Sequence, residues 1–254
     1  MTLSPLSPSP WGLDKGKGSE SKRGGEVEML IHLRQGIEVN NPEELIVSYW
    51  NKYKRSFAEY DKARLPNDDS FGEDQIREAI RVSNILGAMI PFYDENKVIK
   101  PLLHRQFQLE EALRLVPAEV NILDSYEEIP WQSIKQLLES FSAKYLCLAR
   151  KTKILHKKRP LLMPILDSVL AGKYCDPLLN EQQPVARNED TRAVKYIQEL
   201  KKDIDENKEA LLELQKGLKN KGYEEYDLSL TRLLDIVIWS HFKTRGVTFD
   251  QQTI

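Results

Sequence analysis

The segment from Thr152 to Leu170, TKILHKKRPLLMPILDSVL, sets a run of bases directly before an apolar stretch with two prolines and one carboxylate, Asp167. Lys144, Arg150, Lys151, Lys153, Lys157, Lys158 and Arg159 fall between Glu139 and Asp167 with no acid among them, a block of +7. The rest of the chain holds 30 bases against 39 acids, so this block sits on an acidic body with an overall charge of −2. A local basic block of this kind is a candidate anion site. On a helix, Arg150, Lys153 and Lys157 share one edge, and Lys151 and Lys158 lie about 100° round. Together with Lys144 and Arg159 they form a surface that a nucleic-acid backbone would meet, each neutralised phosphate releasing counterions. The alternative is a solvated face whose lysines complement the negative end of their own helix.

Asp167 lies three residues beyond Pro164, near the start of a short helix. There it can interact with the positive end of that helix or pair with Arg159 across the connector. As a functional group it would face whatever the bases hold, and could activate water or stabilise a developing cation. Other catalytic signatures are absent: no P-loop, no GxGxxG, no GxSxG and no HExxH. His32, His104, His156 and His241 are too scattered to form a zinc site with the lone Cys147 and Cys175. No metal and no cofactor is expected. The two cysteines read as reduced thiols in a cytoplasmic protein. No apolar run approaches the roughly 18–20 residues of a membrane span, and the first residues lack the basic-then-apolar order of a secretory signal.

The elements that must position these groups are helical. The chain has 254 residues, 41% of them hydrophobic, enough for one sizeable core or two helical lobes. Residues 1–24, rich in Ser-Pro, Gly and Lys, read as a disordered tail, and 25–254 as one helical domain. Val27, Met29, Ile31 and Leu33 alternate, which permits a short strand and a hairpin through Gly36. Asn41 is placed as the N-cap of a helix running towards Tyr60, with Pro42 in its first turn. Further helices are predicted over 73–90, 106–116, 130–141 and 143–157, the last capped by Ser142. KRPLLMP should be an extended connector, because each proline restricts its predecessor and removes a donor. A basic core motif thus spans 142–173, and residues 174–190 read as a loop. Asp190–Asn220 is the longest helical pattern, with a break over DENKE. Residues 228–243, capped by Asp227 or Ser229, are apolar nearly all round and should be a buried central helix. The expected fold is all-α, a compact multi-helix domain with at most one β-hairpin near the N-terminus.

The order Thr152, Lys153, Ile154, Leu155, Lys158, Arg159, Pro160, Leu162, Pro164, Ile165 and Asp167 resembles the signature of an uncharacterised helical family of bacteria. The helix LTRLLDIVIW and the upstream segment from Tyr60 to Pro91 look like other parts of that family, so the resemblance covers roughly residues 45–242. More distantly, SIKQLLESF, SAKYLCLARKTKILH, KKRPLLMP and ILD resemble the order of elements in the helix-hairpin-helix DNA glycosylases. That resemblance implies a catalytic role for Asp167 and a Schiff-base role for Lys151 or Lys153. The segment FSAKYLCL, where that superfamily has a glycine-bearing hairpin, contains no glycine.

Three readings stay open at this point. The first is a nucleic-acid-binding protein, with DNA as partner and base-excision-like chemistry at Asp167. Its phosphate contacts would be Lys144, Arg150, Lys153, Lys157, Lys158 and Arg159. The second is a non-catalytic interaction or regulatory module whose basic helix docks on a protein. The third is an enzyme acting on a small anionic substrate. The first requires the bases and Asp167 to share an open groove. The sequence assigns no oligomeric state.

Overall fold

A computed structural model describes residues 29–53, 57–66, 68–91, 96–180, 188–226 and 228–244. The expected tail over 1–24 and the Asp227 cap lie outside these residues. The fold is all-α with one antiparallel hairpin, β1 (Leu30–Leu33) and β2 (Ile37–Asn40). Gln35 and Gly36 both take left-handed backbone angles, φ 64° and 66°, and so reverse the chain as the glycine suggests.

The helices follow as α1 (Pro42–Lys52), α2 (Phe57–Lys62), α3 (Glu73–Ile85), α4 (Ile99–Leu103), α5 (Gln106–Arg114) and α6 (Trp131–Ser140). After them come α7 (Leu148–Lys158), α8 (Asp176–Asn180), α9 (Glu189–Glu206), α10 (Lys208–Leu218) and α11 (Leu230–Thr244). α1 begins with Pro42 and two glutamates, as a helix N-terminus favours. Asn41 precedes it at φ 51°, but its side chain makes no cap bond. α3 is fixed instead by Gln75, whose Oε1 accepts the Gly72 N–H at 2.7 Å.

Several boundaries differ from expectation: α1 ends at Lys52 and α2 is a separate helix, and α3 ends at Ile85 rather than near 90. The basic helix starts at Leu148, not Ala143, because residues 141–147 turn and the Glu189 carboxylate accepts the Leu148 N–H at 3.1 Å. After Lys158 the chain makes a turn over 159–162 and then runs to Asp167 without regular secondary structure. The segment expected as a loop, 174–190, opens with helix: a π-helical stretch, Leu170–Cys175, leads into α8. The break over DENKE is present, and Asn207 sits at it between α9 and α10.

Asn207 also anchors the hairpin. Its Oδ1 accepts the His32 N–H at 2.8 Å and its Nδ2 donates to the His32 carbonyl at 2.6 Å. Arg34 extends the clamp to Asp203 and Glu199 on α9. Asn207→Ala strips both partners from one strand residue at a buried position. It should lower stability by about 1–3 kcal/mol, read as a drop in urea midpoint at constant m-value.

α11 packs against α1, α9 and α10, and its Leu233, Ile236, Val237 and Ile238 have no exposed surface. It is the buried central helix that its composition predicts, though it also carries buried Arg232 and Asp235. No helix among the described residues is long and apolar enough to cross a membrane.

Candidate functional site

α7 is an interior helix. Lys151, Lys153, Lys157, Lys158 and Arg159 are all buried, and the last two are each only 1% exposed. The expected open basic face is therefore corrected: these head groups are held by protein acceptors. Lys153 Nζ donates to the Leu86 carbonyl just past α3, at 3.1 Å. Lys157 Nζ donates to the carbonyls of Tyr60 and Ala63 at the end of α2, the second at 3.2 Å. Lys158 Nζ bonds the Pro66 and Ser70 carbonyls and Asp68. Arg159 donates to the Leu113 and Val116 carbonyls at the end of α5, and to Asp69 at 2.6 Å. Arg150, half-buried, donates to the carbonyls of Ala88 and Tyr145 at 2.7 Å each. Lys151 pairs with Asp190 at 2.8 Å.

The physical reason is the set of orphan carbonyls that each helix leaves at its C-terminus. These carbonyls carry partial negative charge, and buried they need donors. α7 supplies donors to the ends of α2, α3 and α5, which explains a basic helix with no acid among its bases. Lys144 is the exception: it is exposed and lies 5.7 Å from the centre of the Tyr145 ring.

Asp167 is half-buried and sits one residue before the helix expected to contain it. Its Oδ1 accepts the N–H groups of Val169 and Leu170, at 2.9 and 3.0 Å, and so caps that helix. Arg159 reaches Asp69 instead, so the expected cross-connector pair is not formed. Asp167 and Lys153 do line one small cavity, of about 50 Å³, with Tyr49, Arg232, Asp235 and Trp239. Lys151 is not in that lining. The connector is tied along α7 by Leu166 N–H to Thr152 Oγ1 at 3.0 Å, and by His156 Nδ1 against the Met163 carbonyl at 2.6 Å.

Next to this cavity, across Arg232, lies a larger one of about 280 Å³. Its walls are the end of α2 (Asp61, Arg64), the end of α7 (His156, Lys157) and the start of α11 (Ser229, Arg232). Arg232 is bound on several sides. Its Nε donates to Asp61 at 2.8 Å, Nη1 to Asp235 at 2.7 Å and Nη2 to the Tyr49 hydroxyl at 2.8 Å. Trp50 Nε1 gives Asp61 a further bond at 3.1 Å. Two buried carboxylates thus share one guanidinium.

The ionisation pattern follows from that geometry. Burial pushes Asp235 up to about 7, with Arg232 opposing and Asp167 and Asp61 adding to the rise. Burial also pulls Lys157 down to about 7, with Arg232 and Arg64 adding to the drop and Asp61 opposing it. His156 is held well below its ordinary value, first by burial and then by Lys157 and Arg232, and so is neutral. Because a carbonyl can only accept, the His156 proton is on Nδ1, and Nε2 keeps its lone pair. Strongly shifted groups gathered around two adjoining cavities, Asp235 at the smaller and Lys157 and His156 at the larger, mark a candidate functional site.

Asp61, Arg64, Arg232 and Asp235 escaped sequence reasoning. Only the α11 pair left a signal: Arg232 and Asp235, three apart on a helix otherwise apolar, are charges that burial forces into partnership. Nothing in sequence links Asp61 to them. Among the described residues, no three His, Cys, Asp or Glu side chains gather as a metal-ligand set.

Residues 85–242 match a family of unknown function, DUF6308. The chain belongs to that family. The DUF6308 match takes in α7, the connector, Asp167 and nearly all of α11, but begins after Asp61 and Arg64. One wall of the larger cavity therefore comes from outside the matched region. No curated protein and no solved structure matches the chain, so the hairpin-glycosylase resemblance gains no support from either.

Proposed function

We propose that this DUF6308 protein binds a small anionic ligand in the cavity between α2, α7 and α11. The observation that carries the reading is the charge of the cavity wall: Arg64 and Arg232 against the single carboxylate of Asp61, with the Lys157 amine beside them. The start of α11, a 15-residue helix, adds the positive end of its dipole beside Ser229. A volume of about 280 Å³ suits a phosphate-sized or small organic anion better than a polymer strand. Arg64 is exposed at the rim, where it can meet an incoming anion, while Lys157 and Arg232 lie deeper.

The nucleic-acid reading keeps one point of support, the shared cavity of Lys153 and Asp167. At about 50 Å³ it has room for a few water molecules and not for a nucleobase.

One thermal-shift experiment addresses both. Inorganic phosphate, pyrophosphate and citrate should raise the melting temperature by several degrees at saturation, since ligand at a hundredfold excess over Kd stabilises by about 2.7 kcal/mol. Arg64→Gln should weaken that effect about tenfold in concentration. Single- and double-stranded DNA at low salt should leave the melting temperature unchanged. A shift with DNA and none with the three small anions would reverse the choice between the two readings.

A further inference from the structure

Resting on the small-anion reading, we infer that Lys157 is an imine-forming amine and that the ligand is an anionic aldehyde or ketone. Three features of its surroundings support this. Lys151, Lys158 and Lys201 pair with Asp190, Asp68 and Asp205, whereas Lys157 Nζ donates to two backbone carbonyls and lies over the face of the Tyr60 ring, 3.9 Å from its centre. A neutral amine has two hydrogens. The Tyr60 and Ala63 carbonyls can take both, which leaves the nitrogen lone pair for an electrophile. Arg64 and Arg232 share the cavity wall and repel a further positive charge, so the site favours the neutral amine and, with it, nucleophilic attack.

The step balances within the cavity. The Lys157 lone pair forms a bond to the carbonyl carbon, and the carbonyl π electrons move to oxygen. The nitrogen gives up a proton and the oxygen gains one, making a carbinolamine. That hydroxyl takes up a proton and leaves as water while the nitrogen lone pair closes the C=N bond, and the nitrogen then releases its remaining proton, which balances the one taken up, to give the imine. His156, neutral with its Nε2 lone pair available, lines the same cavity and is suited to relay the proton from nitrogen to oxygen. Arg64 and the start of α11 hold the anionic group of the substrate. No oxidant or second reactant is required.

The test is reductive trapping on the intact wild-type protein at pH 7, with glyoxylate as anionic probe, glycolaldehyde as uncharged probe and cyanoborohydride as reductant. Peptide mass spectrometry should place the glyoxylate adduct on Lys157 at least about tenfold faster than on exposed Lys144. Glyoxylate should also outpace glycolaldehyde at Lys157. If neither probe labels Lys157 faster than Lys144, the imine inference falls, while a phosphate-induced rise in melting temperature would leave the anion pocket standing. Equal labelling of Lys157 by both probes would overturn the anionic substrate class, and the inference with it.

Discussion

Arg232→Met should lower the free energy of unfolding by about 3–5 kcal/mol, the usual cost of removing one partner from a buried ion pair. Methionine fills much of the space and keeps the helix propensity of α11. What it cannot do is answer Asp61 and Asp235, which are 2% and 3% exposed. Asp235 can hold its proton, so the penalty falls mainly on Asp61, which keeps the bond from the Trp50 indole N–H. Against a typical total of about 5–15 kcal/mol this is a large fraction. Urea unfolding at constant m-value measures it. The triple variant Asp61→Asn, Arg232→Met, Asp235→Leu should recover most of the loss, because it removes the uncompensated charge together with the cation. A loss below about 1 kcal/mol for Arg232→Met would mean that water reaches these carboxylates and that the network is not the sealed one described above.

Stability should rise from pH 7 towards pH 10 by an amount of the order of a few kcal/mol. Asp235 titrates near 7 in the fold but near 3.9 in the unfolded chain. Between those values the folded state keeps a proton that the unfolded state has released. Its contribution is full below pH 4 and is lost as pH climbs to 7. Lys157 behaves in the opposite sense, titrating near 7 in the fold and near 10.4 when unfolded. Between those values the unfolded chain binds the extra proton. The contribution of Lys157 is full above about pH 10 and is lost as pH falls to 7. Below about pH 6.5 the unfolded chain also binds a proton at His156 that the fold refuses, and this offsets the gain from Asp235. The urea midpoint at pH 9 should therefore exceed that at pH 7, while between pH 7 and pH 5 the two groups nearly cancel. Asp235→Asn should leave His156 unopposed, so that the midpoint falls from pH 7 to pH 5, and Lys157→Met should flatten the alkaline arm. An Asp235→Asn variant whose midpoint between pH 7 and pH 5 follows that of the wild type would rule out a protonated Asp235. Below pH 4 a separate loss sets in, since Asp68, Glu78, Glu110 and Glu199 all titrate below their ordinary values.

The helices were legible where local chemistry decides them. Pro42 with two following glutamates starts α1, and Pro130 precedes α6. The apolar spacing of α9 and α10 and the polar break at Asn207 are both periodic signals of the kind a single chain carries. The hairpin followed from four alternating apolar residues and a glycine. Where boundaries moved, a distant group had intervened. The Glu189 carboxylate, 41 residues away, sets the start of α7.

The candidate site was legible only in part. The unusual density of bases in α7 was a true signal, but charge counting cannot say whether a lysine meets solvent phosphate or a buried carbonyl. Both are acceptors with negative charge, and which one is present depends on where α2, α3 and α5 end in space. The same holds for Asp167, whose nearest donors turn out to be the N–H groups of its own helix.

What the sequence by itself determined, then, is the helical fold, its hairpin, the buried character of α11 and the concentration of cations ahead of the proline pair. These rest on propensity, periodicity and composition, which act over a few residues. Only the tertiary structure decided that those cations face inward, that Asp61 meets Arg232 across 171 residues of chain, and that Lys157 shares a cavity with them. Ionisation and reactivity depend on distance and desolvation, and folding brings together residues whose separation along the chain says nothing about either.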